Sequence, residues 1–89
     1  MSAQEKIKLS LEMSLGDGEE IALADGFEEA FIGIARQFDV PFAIYDRAKC
    51  IEILCQDMLY TDAEDYFEYN VAGAWVGDTT PAFVEIVQQ

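Results

Sequence analysis

The sequence predicts an α+β fold, a small antiparallel sheet covered on one face by a helical hairpin, and three observations carry that prediction. Short apolar or alternating runs near 6–15, 30–37, 42–45 and 81–87 read as strands. Two adjacent segments, Asp46 to Leu59 and Thr61 to about Gly77, carry apolar residues at helical spacing. Glycine, aspartate and proline punctuate the chain between them. Strands at both ends with paired helices between them leave a layer of sheet under a layer of helix.

The elements follow in order. From Lys6 to Leu15 apolar and polar residues alternate strictly, the period of a half-buried strand. Gly16-Asp17-Gly18 is a turn, and Ile21 and Leu23 resume the alternation within 19–24, so the first 24 residues predict a β-hairpin. After the turn Asp25-Gly26, residues 27–38 admit two readings. Phe27, Ala30, Phe31, Ile34, Ala35 and Phe38 fit a helical stripe with Asp25 and Glu28 as its capping box. The run Phe31-Ile32-Gly33-Ile34, with glycine at its centre, favours a strand over about 30–37.

Asp39-Val40-Pro41 breaks that element, and Phe42 to Tyr45 forms a short strand. Asp46 is a fitting N-cap for a helix reaching about Leu59, with Ile51, Leu54, Cys55 and Met58 inward. Thr61 and Glu64 read as a capping box for a second helix, whose stripe is Ala63, Tyr66, Phe67, Asn70, Val71 and Ala74. Residues 81–87 supply a closing strand.

Eighty-nine residues fit one domain spanning 1–89, and 52% apolar residues are enough to form a core despite the charge. Eighteen carboxylates against five cations give a net charge of −13 with no histidine. All five cations precede Cys50; beyond it the chain holds eight carboxylates and no lysine or arginine. Such a surface repels phosphates, which predicts no direct nucleic-acid binding and no membrane association. The absence of a basic, then apolar, N-terminal leader and of a long apolar run predicts a cytoplasmic protein.

The residues equally narrow the chemistry. Without histidine, and with Cys50 and Cys55 about 140° apart on one helix at 100° per residue, zinc sets, a disulfide and histidine-dependent nucleophiles are disfavoured. No glycine-rich phosphate loop is present, and the acidic cluster Asp17, Glu19, Glu20, Asp25, Glu28 and Glu29 lacks the calcium-loop spacing. The expectation is a non-enzymatic chain with no cofactor and no metal.

The candidate contact surface is the outer side of the second helix, with Asp62, Glu64, Asp65, Glu68 and the adjacent Tyr69. Neighbours three or four apart on a helix lie about 5–6 Å from one another, close enough to imitate a row of phosphates. That face fits a partner protein with a basic surface; its plainer reading is a solvated face that keeps the protein in solution. Asn70, if buried, needs a hydrogen-bond partner, for which the 77–81 loop is the candidate. Trp75 and Tyr66 read as core residues, whereas unpaired sheet edges and aromatic surface leave a homo-oligomeric assembly role as the alternative function.

Three segments, DGFEEAFIGIARQF, PFAIYDRAKCIEIL and AEDYFEYNVAGAWVGDTTPAFV, carry a family likeness. From Asp25 to Val84 the chain resembles a group of short uncharacterised proteins encoded by bacteriophages and prophages. The resemblance implies a phage or prophage origin and a bacterial cytoplasm, and it carries over no catalytic residue. The segment from Met1 to Leu15 lies outside it.

Overall fold

The computed structural model describes residues 2–87, and over them the chain is α+β. The element order is α1 (Ala3–Ser14), a 3-10 turn (Glu28–Ala30), β1 (Phe31–Gln37), β2 (Val40–Asp46), α2 (Arg47–Leu54), α3 (Tyr60–Tyr66), a π-helical segment (Phe67–Ala72) and β3 (Ala82–Val84).

The first element corrects the alternation argument: residues 3–14 form a helix, and neither the strand over 6–15 nor the hairpin with 19–24 exists. Two local features decide it. Ser2 and Glu5 make a reciprocal capping box, the Glu5 N–H donating to Ser2 Oγ at 3.1 Å and the Ser2 N–H to Glu5 Oε1 at 3.4 Å. The glutamine, glutamates, lysines and leucines behind it are strong helix formers. Within the alternating set, Ile7 and Leu11, one helical turn apart, pack into the core, while Leu9 and Met13 stand exposed. The Gly16–Gly18 turn is present, with Gly18 at φ +80°, but it leads into residues 19–24, which form no strand and pair with none among the described residues.

For residues 27–38 the strand reading holds from Phe31, after the single 3-10 turn. β1 and β2 form an antiparallel hairpin in which Gln37 faces Val40, with an irregularity between Phe31 and Gly33. The connection is the two-residue loop Phe38-Asp39, so β2 begins before Pro41 instead of after it. β3 pairs with β2 in parallel, Tyr45 opposite Phe83. The three-stranded sheet, in order β1-β2-β3, is therefore mixed and not wholly antiparallel. The chain returns to it only after α2 and α3, and a connection built from helices lets two strands run parallel.

Asp46 caps α2 as expected, accepting from the Lys49 N–H at 3.3 Å, but the helix ends at Leu54 and gives way to turns. Thr61 is not a cap. α3 opens behind Leu59 with no side-chain cap, and Ala63 and Phe67, one helical turn apart and completely buried, hold it in place. The helical run closes at Gly73, short of Gly77, which sits at φ +114° in a separate turn.

The buried side chains form one cluster: Ile7 from α1, Phe27 and Ala30 from the 3-10 turn and the residue before it, Phe31, Ala43 and Tyr45 from the sheet, Cys50 and Ile51 from α2, and Ala63 and Phe67 from the third helical run. The sheet is thus covered by α1 as well as by the α2–α3 pair. Four aromatic rings run through the cluster. Phe31 meets Tyr45 edge-on at 5.7 Å, Tyr45 meets Phe83 at 5.6 Å, and Phe83 meets Phe67 edge-on at 5.0 Å. Such pairs add about 0.5–1.5 kcal/mol each beyond their area, so the stack ties all three strands to the π segment.

Candidate functional site

The third helical run changes pitch midway, and a side chain accompanies the change. The Nδ2 of Asn70 donates to the Tyr66 carbonyl at 3.2 Å, the acceptor an α-helix would offer to Asn70's own backbone N–H. With that carbonyl engaged, the ladder over 67–72 widens to i→i+5. Asn70 is exposed and does not tie the helix to the 77–81 loop. Gly73 closes the wide turn: a Cβ there would stand 2.9 Å from the Glu68 carbonyl oxygen, so only glycine fits without a shift.

On this scaffold the candidate residues fall into three situations. Asp62 and Asp65 are exposed and stand in no ion pair among the described residues. Glu64 is half-buried. Glu68 points to Arg47, whose Nη2 donates to Glu68 Oε1 at 2.7 Å while the guanidinium carbon lies 5.5 Å from the centre of the Phe67 ring. The carboxylate holds the Arg47 pKa above its ordinary value, so this corner carries a neutralised pair. The free outward charges are Asp62 and Asp65, and the four-carboxylate row is shorter than its spacing suggests.

The aromatic side of the surface is larger than expected. Tyr69 is 83% exposed, as its place off the apolar stripe predicts. Trp75 is 74% exposed and Tyr66 44%, so neither is a core residue. Leu59, Tyr60 and Val76 are exposed too, which makes the segment from Leu59 to Val76 an unusually apolar stretch of surface carrying Asp62 and Asp65. After the π turn the chain leaves helical geometry, and a helical stripe no longer says which residues turn inward.

Adjoining this surface, with Tyr66 and Val76 on the shared edge, lies a cleft of about 520 Å³, bounded by the Leu23–Phe27 segment, the end of α2, the π segment and the approach to β3. Leu54, Met58, Val71 and Phe83 line it, with Asp25 and Asp57, and no lysine or arginine does. Residues distant in sequence form it, so spacing along the chain gave no sign of it.

The Arg36–Glu19 pair and the two cysteines serve the fold. Arg36 forks onto Glu19, Nη2 to Oε1 at 2.6 Å and Nη1 to Oε2 at 3.0 Å, and its Nη2 also donates to the Ser14 carbonyl at 2.7 Å. The guanidinium and the Gly16 N–H lower the Glu19 pKa to about 2. Cys50 is buried, and burial pushes its thiol up to about 12; Cys55 is half-buried, and both are free. Among the described residues no three His, Cys, Asp or Glu side chains converge to hold a metal ion, and no helix is long and apolar enough to cross a membrane.

Comparison of the chain with protein-family models, with curated proteins and with solved structures gives no match.

Proposed function

We propose that this chain is a phage-type accessory protein that acts in the bacterial cytoplasm without catalysis of its own. It works by docking the surface of α3 and its π extension onto a protein whose contact area is both basic and apolar. One observation carries the reading: Tyr60, Tyr66, Tyr69, Trp75, Leu59 and Val76 are exposed on the same stretch as Asp62 and Asp65, which stand in no ion pair among the described residues. A surface that only maintained solubility gains nothing from that much exposed aromatic area, whereas tyrosine and tryptophan are the residues that anchor protein interfaces. The cation-free second half of the chain adds long-range attraction for a basic partner. Imitation of a nucleic-acid strand is the narrower form of the proposal. With Glu68 paired to Arg47, aromatic contact carries more of the binding than a row of charges does.

The test is capture from bacterial lysate at low and high salt, with the intact chain, a Tyr69→Ala/Trp75→Ala variant and an Asp62→Lys/Asp65→Lys variant. A specific partner is expected to weaken moderately with salt and to be lost from the aromatic variant. Retention that both variants share with the intact chain overturns the proposal. Loss only from the charge variant, with steep salt dependence, selects the mimic form.

A further inference from the structure

The cleft that adjoins the docking surface, with Tyr66 and Val76 on their common edge, points to a specific kind of ligand. The cleft between the end of α2 and the π segment holds about 520 Å³, within the range of formed binding sites. Its floor is apolar, from Leu54, Met58, Val71 and Phe83, all only partly buried by the chain itself. Methionine on such a floor adapts to differently shaped apolar side chains. One wall is the π segment, a rare conformation that concentrates at functional sites.

Charge selects the occupant. Two carboxylates from separate segments, Asp25 and Asp57, line the cleft, and neither is engaged in an ion pair among the described residues. Among the described residues no lysine or arginine lines it, and the whole chain carries −13. Nucleotides, phosphorylated peptides and anionic lipid therefore meet repulsion without a compensating contact. A helix with one apolar stripe and lysine or arginine on its flanks satisfies both halves of the site: the stripe covers the floor, and the flanks meet the carboxylates. We infer that this cleft binds a basic amphipathic α-helix of a partner protein; Asp62, Asp65 and Tyr69 lie outside its lining, while Tyr66 and Val76 belong to both faces.

The experiment uses the full chain and a fluorescein-labelled synthetic peptide of leucine and lysine, about five helical turns long, with leucines three and four apart. A second peptide has the same composition in an order that breaks the stripe. In anisotropy titrations the amphipathic peptide is expected to bind one to one and about tenfold or more tighter than its scrambled control. Ala74→Lys, at an exposed position on the rim, is expected to weaken it about tenfold with an unchanged thermal melt, and Met58→Lys on the floor more so. Asp62→Lys/Asp65→Lys is expected to leave the cleft intact and to lower affinity only through net charge.

Equal binding of the two peptides overturns the inference, as does full affinity in both cleft variants. Loss confined to the Asp62/Asp65 variant moves the contact to the outer surface, overturning this inference while leaving the proposed function standing. A chain that sediments as a dimer and takes up no peptide assigns the cleft to a second copy, which also overturns it.

Discussion

Arg47 lies over the Phe67 ring at 5.5 Å and donates to Glu68 at 2.7 Å, so one guanidinium covers the core aromatic and neutralises the adjoining carboxylate. The two contacts differ in weight. An ion pair as exposed as this one contributes about 0–1 kcal/mol, whereas the ring contact adds about 0.5–1 kcal/mol together with the packing of the arginine stem. Glu68→Gln should therefore change the unfolding free energy by less than about 1 kcal/mol, and Arg47→Ala should cost about 1–2 kcal/mol. Urea denaturation of the two variants separates them, and equal losses would assign the stabilisation to the ion pair alone.

The Glu19–Arg36 fork makes stability depend on pH in a definite direction. The carboxyl of Glu19 is depressed from 4.5 to about 2 by the Arg36 hydrogen bonds and the Gly16 N–H. A depressed carboxyl stabilises the fold fully above its unfolded value, and the contribution fades as pH falls through the folded value. Wild type should therefore exceed Glu19→Gln in stability by a constant margin above pH 4.5, with the margin shrinking below that and disappearing near about pH 2. Denaturant melts across that range check it; a margin that persists at the acid end would show that the fork is not its source.

Tyr45 anchors the long segment before β1. Its hydroxyl is buried and accepts the Ala24 N–H at 2.9 Å, and burial raises its pKa above the ordinary tyrosine value. Tyr45→Phe keeps the ring stack but leaves that N–H without its partner, at a cost of about 1–3 kcal/mol. Hydrogen exchange at Ala24 should accelerate more than exchange within β1. Uniform acceleration across both would show that the hydroxyl acts on global stability alone.

What the residues disclosed, and what they hid, follows from how local each determinant is. The Asp46 cap acts over three residues and is legible. The β1 strand is legible because a central glycine in an apolar run weighs against a helix. The failure at 6–15 is one of period: Ile7, Leu11 and Leu15 satisfy spacing two and spacing four at once, and only the Ser2–Glu5 box separates the readings. Thr61 fails as a cap because burial of Ala63 and Phe67 overrides a local signal. At the candidate surface, Tyr69 was visible from helical phase. Trp75 was not, because it follows a change of pitch, and the Arg47–Glu68 pair joins residues from separate helices.

Cys50 and Cys55 should differ sharply as thiols. Cys50 is completely buried, and burial lifts its pKa to about 12, so almost no reactive thiolate forms at neutral pH. Titration of the folded protein with a thiol reagent should modify Cys55 first, and Cys50 only at the rate of unfolding. Cys50→Ser should retain the Cys55 reaction but place a hydroxyl in an apolar site, costing about 1–3 kcal/mol. Early modification of Cys50 in the folded protein would contradict its burial.

The hairpin tip offers a stabilising change. Phe38 and Asp39 connect β1 to β2 with φ +53° and +64°, the two positive angles of a type I′ turn, for which Asn-Gly is the favoured pair. Phenylalanine is strained in that region, and its ring is 91% exposed, so packing within the chain returns nothing for the strain. Phe38→Asn relieves it without losing a buried contact and should raise stability by about 0.5–1 kcal/mol. Arg36 clamps the base of the turn through Glu19 and Ser14, so the strands should keep their register. The variant's thermal melt is the measurement, with Phe38→Leu as a control that removes the ring but keeps the disfavoured backbone. If leucine stabilises as much as asparagine, the cost lies in the exposed ring and not in the backbone angle.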